Sequence, residues 1–90
     1  MSMNNISQAP NGINVVVETE GAVYIGRLGK QDGNSATMHH AAVFEVPAGQ
    51  SPEELIRHTA RYGVPVSHVE MLFETTGIKR IRKLGDVPKA

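Results

Sequence analysis

The sequence predicts a mostly-β fold with one helix: a small, strongly bent, five-stranded antiparallel barrel with elements in the order β-β-β-α-β-β. Three observations predict it. Five short apolar runs are separated by breaks marked by glycine or proline. One segment alone, from Ser51 to Tyr62, has helical rather than alternating periodicity. Gly26 interrupts the second run, and a glycine inside a strand marks a bulge, a bend or the close approach of another backbone.

Residues 1–12 are rich in Asn, Ser and Gln, with too few apolar side chains to pack, and are expected to form a disordered lead-in. A single domain then spans residues 13–84. The first strand runs from Ile13 to Glu20. Its successive Val15, Val16 and Val17 are stiff at χ1 and suit a pleated surface. Glu20-Gly21 turns the chain into a second strand, about Ala22 to Leu28, with Val23 and Ile25 on one face and Tyr24 on the other. Gly29 to Ser35 reads as a polar loop with a turn at Asp32-Gly33.

The third strand is expected from about Ala36 to Val46, with Met38, His40, Ala42, Phe44 and Val46 on one face. Thr37, His39, Ala41, Val43 and Glu45 take the other, and Pro47 ends the strand by removing a backbone donor. Ser51 then caps a helix, Pro52 fits its first position and Glu54 follows three residues after the cap. Leu55, Ile56, Thr59 and Ala60 form its apolar stripe, and Gly63 and Pro65 stop it, giving a helix at about 52–62. The fourth strand, about 66–74, alternates Val69, Met71 and Phe73 with His68, Glu70 and Leu72. Thr75-Thr76-Gly77 is a tight connection to the fifth, about 78–84, and residues 85–90 form a polar tail.

Composition narrows the function. Nine basic residues balance nine acidic ones, which argues against coating nucleic acid by bulk charge. The distribution is uneven, because Lys79, Arg80, Arg82 and Lys83 fall within five positions. The absence of cysteine excludes disulfides, zinc–thiolate sites and thiol nucleophiles. No apolar run approaches the roughly 18 residues of a membrane helix, and the N-terminus lacks the pattern of a secretion signal. A cytoplasmic protein with no membrane partner is expected.

The strand spacing resembles the first motif of the Sm and Sm-like RNA-binding proteins. Val17, Gly21, Gly26, Leu28 and Asp32 stand at that motif's intervals. Met38-His39 occupies the place of its apolar-asparagine pair after a longer loop, Gly33 to Thr37, with His39 replacing the asparagine. The second motif, an apolar strand ending in Arg-Gly before another apolar strand, corresponds to Met71-Leu72-Phe73, Thr76-Gly77, Ile78 and Ile81, with Thr76 replacing the arginine. The family places its helix before the first strand; here it lies between the third and fourth.

The resemblance implies a homo-oligomeric ring in which strand 66–74 of one copy pairs with strand 78–84 of the next. It also implies binding of single-stranded RNA, often uridine-rich, near the pore. Asp32 and Gly77 carry over directly from the family's binding loops, and His39 by position. The residue chemistry adds to this. His39 can stack on a base, Asn34 and Ser35 can hydrogen-bond, and Lys79, Arg80, Arg82 and Lys83 can meet phosphates of single-stranded RNA or DNA, with Thr76 beside Gly77 counted among the binding residues.

Each feature has a plainer reading. The basic run is equally a solvated edge strand protected from unwanted pairing. Asp32 is a common turn former, and Gly26 and Gly77 are structural. His39 and His40 are strand neighbours that point to opposite faces, so no metal site is expected from them. No spacing converges Ser, His and Asp, and no catalytic residue or cofactor is expected; the chain reads as a binding module and not an enzyme. The alternative to a nucleic-acid-binding ring is a structural or protein-interaction barrel that assembles through its strand edges.

Overall fold

A computed structural model describes residues 12–47, 49 and 51–88. The expected lead-in therefore lies outside the described residues, apart from Gly12. The chain forms five strands and one helix in the expected order: β1 (Asn14–Thr19), β2 (Ala22–Asp32), β3 (Ser35–Glu45), α1 (Glu53–Tyr62), β4 (His68–Glu74) and β5 (Ile78–Lys83). All five strands belong to one antiparallel sheet ordered β4-β3-β2-β1-β5. The sheet does not close on itself, so the expected barrel is an open, bent sheet whose edges are β4 and β5.

Two distances require the bend. From Glu74 to Ile78 the chain can span at most roughly 14 Å, yet it links one edge of the sheet to the other. In a flat five-stranded sheet those edges would stand about 19 Å apart. Tyr24 pairs with Val43 and Phe73 with Ala36, seven positions apart along β3. Their rings nevertheless stack at 5.1 Å. The sheet is folded over on its first face, where Val15, Val17, Leu28, Ala36, Met38, Ala41, Phe73 and Ile81 form one core.

The corner is at Gly26. Ile25 pairs with Ala42 and Arg27 with His39, so Gly26 alone faces both His40 and Ala41. This is a β-bulge, which bends a strand and sharpens its twist. His40 takes the strained positive φ of 50°. A Cβ on Gly26 would come within 2.9 Å of the Ala41 Cα, so only glycine permits the crossing. The bulge also corrects the expected alternation of β3. Ala41, not His40, shares a face with Met38, because the extra residue reverses the phase.

A second core lies on the outer face beneath α1. It joins Val16, Val23 and Ile25 of the sheet to Ile56 of the helix and to Leu84 and Val87. The valine run is thereby explained: β1 is buried on both faces, with Val15 and Val17 in the first core and Val16 in the second. Residues 84–86 form a 3-10 turn, and Val87 is buried, so the start of the expected polar tail belongs to the fold. The helix begins one residue later than expected. Pro52 occupies the cap position, and Ser51 Oγ accepts the Glu53 N–H at 3.3 Å.

Candidate nucleic-acid interface

The expected polar loop after β2 is a strand extension closed by a two-residue turn, Gly33-Asn34, between paired Asp32 and Ser35. Gly33 supplies the positive φ (61°) that such hairpin turns require. Ser35 Oγ donates to the Asp32 carbonyl at 3.0 Å. Two contacts tie this turn to the β4–β5 connection. Ser35 is in register with Glu74, and the Thr75 N–H donates to the Asn34 carbonyl at 2.8 Å. Gly77, at φ 77°, reverses the chain toward β5. Five expected site residues, Asp32, Asn34, Ser35, Thr76 and Gly77, therefore meet at one end of the folded sheet.

Their side chains offer hydrogen-bond donors and acceptors to solvent. Asp32, Asn34, Thr76 and Gly77 are exposed, and Thr76 Oγ1 donates to Glu74 Oε2 at 3.4 Å. Two carboxylates, Asp32 and Glu74, stand at this end. A phosphate would be repelled there, whereas amino groups of bases would be accepted.

His39 stands elsewhere. It lies in a cross-strand row with Arg27 and Glu70, several register positions from the turn. Its ring lies against Gly29, where a Cβ would sit 2.7 Å from Nε2. The sheet thus does not bring His39 into the turn cluster within one chain.

The basic strand is divided between two environments. Lys79 meets Glu20 at 3.2 Å in an exposed pair, and Lys83 is exposed. Arg80 and Arg82 face α1 and enter an ion network that their local sequence did not reveal. Arg80 donates from Nε and one terminal nitrogen to the two oxygens of Glu18 at 2.7 and 3.1 Å. Arg82 donates to both oxygens of Glu53 at 3.2 and 2.9 Å and lies 3.4 Å from Glu18. Arg80 also reaches Glu53 at 3.4 Å, and Arg57 stands 3.6 Å from it.

The network shifts its own titrations. The hydrogen bond from Arg82 is the leading cause that holds the Glu53 carboxyl below its ordinary range, against a smaller opposing effect of burial. The hydrogen bond to Glu18 likewise pushes Arg80 up. One donor stays unanswered: Arg82 Nε is buried with no acceptor. These contacts fasten the first turn of α1 to β1 and β5.

The sequence contained one partial sign of this network, since alternation places Arg80 and Arg82 on the face opposite Ile81. Glu53 reads locally as a helix-dipole acid, and Glu18 as the end of a strand.

Among the described residues no three His, Asp or Glu side chains converge on a point that would hold a metal ion. No described helix is long and apolar enough to cross a membrane. No family model matches the chain, and no curated protein or solved structure matches it significantly.

Proposed function

We propose that the protein assembles edge to edge into a homo-oligomeric ring, β4 of one copy on β5 of the next, and binds single-stranded nucleic acid, RNA before DNA. The observation that carries this reading is the pair of open, unlike edges. β4 presents exposed Val69 and Leu72 with Glu70 and Glu74, and β5 presents Lys79 and Lys83. Such edges complement one another but not themselves, which favours a head-to-tail contact that closes as a ring. Neutral formal charge removes a general repulsion between copies.

Ring closure would set the paired turns of every copy around one axis and multiply a weak site. Asn34, Ser35, Thr76 and the carboxylate of Asp32 would read bases, with Lys79 nearest in sequence for phosphates. The glycine and aspartate spacing shared with Sm-like proteins supports the same reading, as does the strand order. The cysteine-free composition fits a cytoplasmic setting.

The test has two stages. Mass in solution at micromolar concentration should exceed that of one chain. Fluorescent oligo-U and oligo-A should then bind at low salt and weaken at high salt. A monomer removes the ring, and an oligomer that binds neither oligonucleotide at low salt removes the nucleic-acid function.

A second reading draws on the ion network. Arg80 and Arg82 spend their charge on Glu18 and Glu53, which favours an edge-assembling structural or protein-interaction module without nucleic acid. An oligomer silent toward both oligonucleotides is its expected result.

A further inference from the structure

α1 is held to the sheet in two unlike ways. The first is a narrow apolar seat. Of its ten residues only Ile56 and Thr59 are buried; Ile56 belongs to the second core, and Ala60 is partly buried against that core. Thr59 Oγ1 donates to the helix's own Leu55 carbonyl at 2.9 Å. Hollows flank the seat on either side. One, of about 520 Å³, is lined by Ala60 together with Ile13, Lys83 and Leu84. The other, of about 420 Å³, is lined by Leu55, His58 and Tyr62 together with Phe44 of β3. The second attachment is electrostatic and sits at the first turn. There Glu53 accepts from Arg82 at 2.9 and 3.2 Å and from Arg80 at 3.4 Å.

We infer that α1 is a lid that lifts from the outer face of the sheet as a unit, hinged at Gly63 and latched by the Glu53 carboxylate. The latch releases without stranding the arginines. Glu18, Arg80 and Arg82 all belong to β1 and β5, so when Glu53 leaves, Glu18 still stands 2.7 and 3.1 Å from Arg80 and 3.4 Å from Arg82. Glu53 departs with Arg57, 3.6 Å away on the same helix, and its side chain is 32% exposed, within reach of salt ions. The hinge is Gly63, whose φ of 96° is open to glycine. Beyond it the chain is fastened to β3 again at Ser67, whose N–H donates to the Ala41 carbonyl at 2.9 Å. The seat is small, and an element with few buried apolar contacts opens at a lower free energy than the whole domain.

The lifted state has a surface that the closed state hides. Val16, Val23 and Ile25 lose the cover of Ile56 and stand as an apolar strip on the outer face of β1 and β2. Arg80 and Arg82 stand on the same face with one carboxylate fewer between them. Lifting leaves the backbone edges of β4 and β5 untouched, so the lid is independent of the ring proposed above.

Hydrogen exchange on the unaltered chain tests the lid. The amides of Arg57 to Thr59, in the middle of α1, should exchange at least about tenfold faster than those of Val15 to Val17. Raising salt from about 0.01 to about 1 M should speed the α1 amides at least about threefold and leave Val15 to Val17 within about twofold, because salt screens the latch. Since the chain has no cysteine, a single thiol can be placed beneath the lid. Val23→Cys should react with a maleimide at least about tenfold faster than Met38→Cys, which lies in the first core. Adding Glu53→Gln to both should widen the ratio of the two labelling rates at low salt and remove most of its salt dependence.

Amides of α1 that exchange in step with Val15 to Val17, or that ignore salt, overturn the inference. So does fast exchange of α1 while Val23→Cys labels no faster than Met38→Cys, the mark of a helix that frays in its seat. A labelling ratio that Glu53→Gln leaves unchanged removes the latch and overturns it equally.

Discussion

Replacing Glu18 by Gln tests whether the β5 arginines serve the fold or a ligand. The substitution keeps the side-chain shape and removes one charge from a five-member network, Glu18, Glu53, Arg57, Arg80 and Arg82. Glu18 is 11% exposed at its side chain, against 40% for Arg80 and 15% for Arg82. Removing one partner of a fully buried pair costs roughly 3–5 kcal/mol, while an exposed pair is worth about 0–1 kcal/mol. Glu18 and Arg82 are near the first limit and Arg80 is nearer the second. The remaining carboxylate, Glu53, must then balance both arginines, and Arg82 already carries an unanswered donor. A loss of about 2 kcal/mol follows for an intermediate site.

For a domain of this size each kcal/mol shifts the melting midpoint by about 4–8 °C. The variant should therefore melt about 8–16 °C lower by circular dichroism, measured at one fixed protein concentration because the proposed assembly would add to stability. A double-mutant cycle with Arg80→Gln should return a coupling of about 1–2 kcal/mol. A loss within 0.5 kcal/mol of zero, or no coupling, would refute the structural role and return Arg80 and Arg82 to the list of available phosphate contacts.

Gly26→Ala should cost about 1–3 kcal/mol in urea unfolding, because the new methyl meets the Ala41 and His39 backbone at the bulge, which cannot yield as the equally close Met38 side chain can. Val87→Ala should cost about 1 kcal/mol, whereas a free tail would tolerate it without effect; chemical denaturation distinguishes them. The lowered Glu53 pKa fixes a pH dependence: its stabilisation is complete above the unfolded value, about 4.5, and is lost as pH falls through the lower folded value. Wild type and Glu53→Gln should thus differ by a constant amount above about pH 6 and converge in acid, as thermal melts across pH will show. Leu72→Lys should abolish the oligomer by mass while changing subunit stability by less than about 0.5 kcal/mol, because this side chain is largely in water in the single chain.

The parts of the fold legible in the sequence were those written in local patterns. Gly26 announced the corner, Ser51 to Gly63 bounded the helix, the Val15 to Val17 run marked the first strand, and alternation marked the second, third and fourth. The parts that were not legible depend on distant partners. Residues 29–32 carry no apolar periodicity and extend β2 because β3 pairs with Gln31 and Asp32 beyond a register shift at Leu28 to Gln31. His40 has no local signal for its bulge; the cause is the glycine opposite. Val87 looks like an isolated apolar residue in a polar tail, and Leu84 like the end of a strand, until Ile56 is packed over them. The turn cluster was found residue by residue, but the separation of His39 from it needed the strand register. The ion network joins residues far apart in sequence, and no local pattern encodes such a contact.

The division of labour on β5 follows from these placements. Its outer face is committed: Arg80 and Arg82 hold the first turn of α1, and their charges are matched by Glu18 and Glu53. Its inner face is committed through Ile81 to the first core. What remains available is the backbone edge with Lys79 and Lys83. A lysine-lined edge resists pairing with another like itself, and β4, with its carboxylates and two bare apolar side chains, lacks that protection against a cationic strand. In the proposed ring this asymmetry would select heterotypic contacts over homotypic ones, and α1, anchored to β5 by the arginines, would stiffen the strand that presents its edge. Fold stability and the proposed assembly should therefore be separable by substitution, since the arginines act through one face of β5 and the lysines stand along its margin.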